Sequence, residues 1–104
     1  MNKLFLLPVL LCFQLFASDA IIIDVRTPGE FNTGHIESSK NIEWQEIDTI
    51  KKSINKNQKI YLYCRSGNRS QKATDILIKI GYENVENLGS LNEAANFLKM
   101  KIIK

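Results

Sequence analysis

The segment Cys64-Arg65-Ser66-Gly67-Asn68-Arg69-Ser70 places one thiol, two guanidinium groups and several small polar side chains in a single short stretch. It follows the apolar run Lys59-Ile60-Tyr61-Leu62-Tyr63, which predicts a buried strand. It leads into residues 70–81, where Ala73, Ile76, Leu77 and Ile80 recur at helical spacing and Gly81 is a stop signal. The thiol therefore stands where a strand ends and a helix begins. Backbone N–H groups of such a loop converge on an anion, and the helix dipole favours negative charge there. Those surroundings lower a thiol's pKa and populate the nucleophilic thiolate. The bland alternative, a small buried hydrophobe at a strand end, leaves the polar, arginine-bearing loop after the sulfur without a purpose. Cys64 is therefore the expected nucleophile, with Arg65, Ser66, Gly67, Asn68, Arg69 and Ser70 forming the binding loop. Arg69 stands at the helix start, where a cation opposes the dipole, so a bound anion would account for it. Arg65 is expected at the rim.

The rest of the chain supplies elements to position that loop. Residues 21–25 are almost wholly apolar, as expected for a strand covered on both faces. Residues 28–32 predict a short helix, with Pro28 suited to the first turn, and residues 39–42 a short strand. Trp44, Ile47, Ile50 and Ile54 have helical spacing. Residues 60–63 form the expected central strand, residues 84–88 another strand, and residues 91–98 a helix. Strands alternating with helices imply an α/β fold: a mainly parallel central sheet with helices on both faces. The loop then lies at the carboxyl edge of a strand, where open α/β sheets carry their sites.

A chain of 104 residues is one small domain, and an apolar fraction of 44% is enough for a packed core without metals or disulfides. The net charge of +3 comes from scattered residues; Lys51-Lys52 and the lysines of residues 99–104 are short clusters on solvated faces. No basic stripe is interleaved with aromatics, so nucleic acid is not an expected partner. No Cys or Cys/His spacing suggests a metal site. His35, the only histidine, sits in Gly34-His35-Ile36 and is expected to be structural.

The N-terminus differs in kind. Met1-Asn2-Lys3 is a short positive start, residues 4–16 are mostly apolar, and Ala17-Ser18-Asp19-Ala20 offers small residues for cleavage. This is the pattern of a secretory leader over residues 1–17, with cleavage after residue 20 as the alternative, followed by one domain over residues 18–104. The apolar run is shorter than the roughly 20 residues that span a bilayer. The expected product is exported, periplasmic or otherwise, with no stable membrane span. Cys12 would leave with the leader. Cys64 would then be the sole thiol of the mature chain, with no intramolecular disulfide available to it.

The Cys64 loop resembles the active-site loop of the rhodanese family of single-domain sulfurtransferases. Asp24-Val25-Arg26-Thr27-Pro28-Gly29-Glu30-Phe31 is similar to that family's first-strand motif. Gly34-His35-Ile36 with Asn41-Ile42 is similar to its second, Gly81-Tyr82-Glu83-Asn84-Val85 to the approach to its last strand, and Leu88-Gly89 to the turn after that strand. The ordered set runs from Ile21 to about Phe97 and is most like the exported phage-shock-protein E type. Departures fall in supporting positions. Ser38-Ser39-Lys40 stands where Gly-Ala is frequent, and Glu43 replaces a common proline. Gly89-Ser90 replaces Gly-Gly, and Ala94 and Ala95 lie near a usual tryptophan.

The resemblance implies a rhodanese-like three-layer fold and two-step sulfur transfer without a cofactor. A small anionic donor such as thiosulfate passes its outer sulfur to Cys64, and a thiophilic acceptor removes it from the persulfide. It also implies structural contacts for Asp24 and Arg26 near the site. A monomer is expected. Two alternatives stand beside it. One is a cysteine-dependent phosphatase or arsenate reductase on a related fold. Phosphatase loops space cysteine and arginine one residue further apart than the four residues that separate Cys64 from Arg69. The other is a non-enzymatic sulfur carrier that keeps the cysteine.

Overall fold

The structure, a computed structural model, describes residues 20–104. The expected leader over residues 1–17, Cys12 included, lies outside the described residues. The elements in chain order are β1 (Ile21–Asp24), α1 (Pro28–Thr33), β2 (His35–Ile36), β3 (Lys40–Asn41) and a 3-10 helix (Trp44–Lys52). They continue with β4 (Ile60–Cys64), α2 (Asn68–Lys79), β5 (Val85–Ser90), α3 (Leu91–Leu98) and β6 (Ile102–Ile103). Strands β3-β1-β4-β5 form a wholly parallel sheet in that spatial order, so β4 and its terminal Cys64 lie inside it. The expected α/β class and parallel sheet are borne out.

Side-chain alternation along the inner strands divides the core. Ile23 and Val25 of the β1 region and Ile60, Leu62 and Cys64 of β4 point to one face. There they pack with Ile47, Ile50, Ala73, Leu77 and Tyr82 from the 3-10 helix, α2 and the segment after it. Ile22 and Tyr63 point to the other face and pack with Ile36, Ala94 and Ala95. The small side chains of Ala94 and Ala95 are buried there and let α3 lie close against the sheet.

Three features differ from the reading of the sequence. The segment expected to be helical at Trp44 is a 3-10 helix, in which residues three apart eclipse. Ile47 and Ile50 are buried at that spacing, so the apolar period was three as well as three to four. Strand β5 continues through Gly89 to Ser90, where a turn was expected, with a register shift between Leu62 and Cys64 on its neighbour. The antiparallel pair β2 and β6, joined as His35↔Ile103 and Ile36↔Ile102, was not foreseen. Two residues carry no readable period.

The carboxyl end of β1 is pinned by a buried ion pair. Arg26 Nη2 donates to Asp24 Oδ2 at 2.7 Å and to the Gly34 carbonyl at 2.6 Å, and Arg26 Nε donates to Asp24 Oδ1 at 3.0 Å. Asn41 Nδ2 donates to the carbonyls of Asp24 and Arg26. The structural role expected of Asp24 and Arg26 is thus met, and so is that of His35, whose ring stacks on Phe31 at 3.6 Å.

Ser38, at φ 74°, holds a left-handed conformation that costs a residue with a Cβ about 1–2 kcal/mol. Ser38→Gly should therefore raise stability by about 1 kcal/mol, read as a higher urea midpoint at unchanged slope. An unchanged or lowered midpoint would show that the serine conformation carries no strain.

Candidate active site

Cys64 ends β4, and α2 begins four residues later at Asn68, so the loop is only three residues long. Gly67 makes that turn possible. It caps α2 at φ 96°, and a Cβ there would lie 3.4 Å from the Gly89 Cα. The β5 register shift brings Gly89 to this position.

Cys64 Sγ accepts the Gly67 N–H at 2.9 Å and faces Ser70 Oγ at 3.3 Å. Cys64 and Ser70 are both fully buried. Burial pushes the thiol pKa up. The Ser70 hydroxyl and the backbone N–H groups of Ser70, Ser66 and Gly67 pull it down, and the net result is a lowered value. The site therefore favours a thiolate at the cost of dehydrating it.

The predicted loop residues divide by exposure. Arg65, Ser66 and Asn68 are exposed, Gly67 and Arg69 are half-buried, and Ser70 is on the floor of the site. Arg69 has a partner that the sequence reading did not foresee. Its Nη1 and Nη2 donate to Glu30 Oε1 and Oε2 at 2.8 and 3.0 Å. Glu30 also closes the capping box of α1, accepting from the Thr27 N–H and receiving support from Thr27 Oγ1. The Arg69 charge at the helix start is thus accounted for by a protein carboxylate. Arg65 has no hydrogen-bond or ion-pair partner among the described residues, and it lines a groove of about 430 Å³ with Arg26, Gly29, Glu30 and Thr33.

One site residue escaped the sequence reading. Asn87 on β5 donates from Nδ2 to the Gly67 carbonyl and to Gln71 Oε1, both at 3.1 Å. Its Oδ1 accepts from the Gly89 N–H at 2.9 Å and from Ser70 Oγ at 2.6 Å. It ties the loop, α2 and the β5 irregularity together. An asparagine in a short strand carries no motif, and only the pairing of β5 with β4 brings it to the sulfur. Among the described residues, no group of three or more His, Cys, Asp or Glu side chains could hold a metal ion.

The family model for the rhodanese-like domain matches residues 14–96. The chain belongs to the rhodanese family. It is 36% identical over 99 residues to thiosulfate sulfurtransferase PspE of Escherichia coli (strain K12), covering 91% of this chain and 94% of that one. A sulfurtransferase of Allochromatium vinosum is 36% identical over 70 residues, covering 67% of this chain and 65% of that protein. A solved structure of a rhodanese with anions from E. coli shares 32% identity and a TM-score of 0.72 over 82% of this chain and 98% of that one. The rhodanese assignment agrees with the resemblance carried by the Cys64 loop and the three flanking motifs.

The Glu30–Arg69 pair has a pH signature. Hydrogen bonds from Arg69, and secondarily from Thr27, hold the Glu30 carboxyl at about 2, well below its usual 4.5, against an opposing effect of burial. A carboxylate lowered in the folded state stabilises above its unfolded value and loses that contribution as pH falls toward its folded value. The contribution is thus complete above about pH 5 and fades between 4.5 and about 2. Glu30→Gln should cost about 1 kcal/mol at pH 7, a partly exposed pair being worth little more. It should also flatten the acid limb of stability in that window, measured by urea unfolding from pH 7 to pH 2. A variant that keeps the wild-type acid limb would show that the pair does not couple the loop to the fold.

Proposed function

We infer that the chain is a sulfurtransferase that carries sulfane sulfur from thiosulfate, or a similar small anionic donor, as a persulfide on Cys64. The observation that supports this reading most is the cysteine sulfur at the carboxyl end of the central strand, facing the Gly67 N–H and the Ser70 hydroxyl with no acidic side chain hydrogen-bonded to it. In the first half-reaction the Cys64 thiolate attacks the outer sulfur of thiosulfate. The Sγ–S bond forms, the S–S bond of the donor breaks, and sulfite leaves with the electron pair. The persulfide anion remains, its charge on the outer sulfur. In the second, the acceptor attacks that outer sulfur and Cys64 leaves as the thiolate. With cyanide the product is thiocyanate, and no proton or external electron is required.

Loop N–H groups stabilise the charged sulfur in both states, as an oxyanion hole does for oxygen. Arg65, which has no partner among the described residues, lines the groove and offers a guanidinium to the donor's charge. Arg69, engaged by Glu30, adds a positive field from behind the loop. Cys64 itself has no exposed surface, so the donor approaches past Arg65, Ser66 and Asn68 and displaces the rim to reach the sulfur. The names of the relatives favour the thiosulfate donor.

Incubation with thiosulfate should add one sulfur, roughly 32 Da, to the protein, because the thiolate is the covalent nucleophile. Cyanide should remove it. Cys64→Ser should abolish both mass changes with the fold intact. Arg65→Ala should raise the KM for thiosulfate about tenfold, as loss of one charge-assisted contact does, with little effect on cyanide. Stable sulfur loading without release to small acceptors would favour a sulfur carrier. Hydrolysis of an aryl phosphate with no added sulfur would replace the reading with a phosphatase.

We also propose that residues 1–17 are a cleaved leader and the mature domain is exported, on the strength of the charge and apolar pattern alone. Intact mass of the protein from the cell envelope should show the first 17 to 20 residues missing. A full-length chain from the cytoplasm would overturn this.

A further inference from the structure

The Ser70 hydroxyl has one proton and two acceptors within reach: Cys64 Sγ at 3.3 Å and Asn87 Oδ1 at 2.6 Å. The Asn87 amide cannot relieve that competition by turning over. Its Oδ1 is held by the Gly89 N–H, which only donates, and its Nδ2 by the Gly67 carbonyl, which only accepts. Toward Ser70, Asn87 is therefore only an acceptor. When Cys64 is a thiol, the S–H can donate to Ser70 Oγ while the Ser70 proton rests on Asn87. When the sulfur is an anion it has no proton to give, and a charge-assisted bond outweighs a neutral one. The Ser70 proton then turns to sulfur, and Asn87 Oδ1 is left with the Gly89 N–H, so no buried group is orphaned.

We propose that Asn87 is a positioning residue for sulfur transfer, holding the Ser70 proton whenever Sγ is uncharged and yielding it whenever Sγ is a thiolate. This rests on Cys64 being the nucleophile. The Ser70 donor would then serve the attacking thiolate in the first half-reaction and the leaving thiolate in the second. Between them, with the charge on the outer sulfur, it returns to Asn87. Asn87 thereby makes each ionisation of Cys64 give up one neutral hydrogen bond, which keeps the thiol pKa higher than Ser70 alone would set it. The charged groups around the site are Arg69 of α2 with Glu30 of α1, the Asp24–Arg26 pair at the carboxyl end of β1, Arg65 on the rim, and Glu93 of α3, which caps Ser90. None is hydrogen-bonded to Ser70 Oγ or Asn87, so their fields stay common to all the variants below.

The test is the pH dependence of Cys64 alkylation by iodoacetamide, with the mature protein. Ser70→Ala should raise the inflection. Asn87→Leu should lower it by about half a unit to one unit, the equivalent of one neutral hydrogen bond. In the Ser70→Ala background, Asn87→Leu should produce no shift. A merely structural Asn87 predicts the opposite sign, because a loosened loop loses its N–H groups from sulfur, and the same shift with or without Ser70. Either result overturns the proposal. Should circular dichroism show Asn87→Leu unfolded, Asn87→Asp takes its place. Its carboxylate should raise the inflection more with Ser70 present than without it, and equal rises overturn the proposal. Inflections insensitive to Asn87 defeat the relay alone. A Cys64 that is not alkylated at any pH defeats the nucleophile reading and the relay with it.

Discussion

Strand β4 is hydrogen-bonded on both edges, to β1 from Ile21↔Ile60 to Asp24↔Tyr63 and to β5 from Ile60↔Val85 to Cys64↔Ser90. Everything at the site follows from that double pairing. A strand held on both edges cannot slide, and a slip of one residue would send Cys64 to the face carrying Tyr63. On its actual face the sulfur meets the first turn of α2. The same register brings the end of β1 beside Tyr63 and the β5 irregularity beside Cys64. The β5 segment that packs against the loop is thus a direct neighbour of β4 in the sheet.

A buried sulfur anion would need compensation, and the groups around Cys64 offer oriented dipoles rather than full charges. The Gly67 N–H and the Ser70 hydroxyl face the sulfur directly, while the guanidinium of Arg69 is occupied by Glu30. A lysine or arginine in contact with Sγ would neutralise the thiolate and blunt its nucleophilicity. Dipoles fixed by a tight turn would stabilise charge on either sulfur of the proposed persulfide without committing to one. Gly67 meets this need with a left-handed conformation, φ 96°, that few other residues tolerate, while a Cβ there would stand in ordinary van der Waals contact with Gly89.

The supporting contacts have a common logic. Glu30 finishes the N-terminus of α1 and grips Arg69, so one carboxylate joins the segment after β1 to the segment after β4. Ser90 and Glu93 form the capping box that starts α3, which gives Ser90 a local purpose. Ser39 Oγ meets the hydroxyl of Tyr63 at 3.2 Å, and Tyr63 also accepts the Ile36 N–H. Burial pushes that phenol up to about 12, so it remains a neutral hydrogen-bonding group.

Local sequence was enough for the main strands and helices, the parallel α/β class and the place of Cys64 at a strand-to-helix turn. Those depend on local period, on Pro28 and Gly81 as punctuation, and on the apolar runs at residues 21–25 and 60–63, which interact within a few residues of themselves. Boundaries that depend on tertiary contacts were read less well: the 3-10 geometry at Trp44, the extension of β5 through Gly89, and the β2–β6 pair. The partners of Arg69 and Asn87 and the place of Arg65 in the groove emerge only in three dimensions. Arg69 lies 39 positions from Glu30 and Ser70 lies 17 from Asn87, and neither partner is marked by any local pattern. A guanidinium or an amide takes its role from whichever group lies within hydrogen-bond reach, and at those separations only the pairing of the sheet decides which group that is.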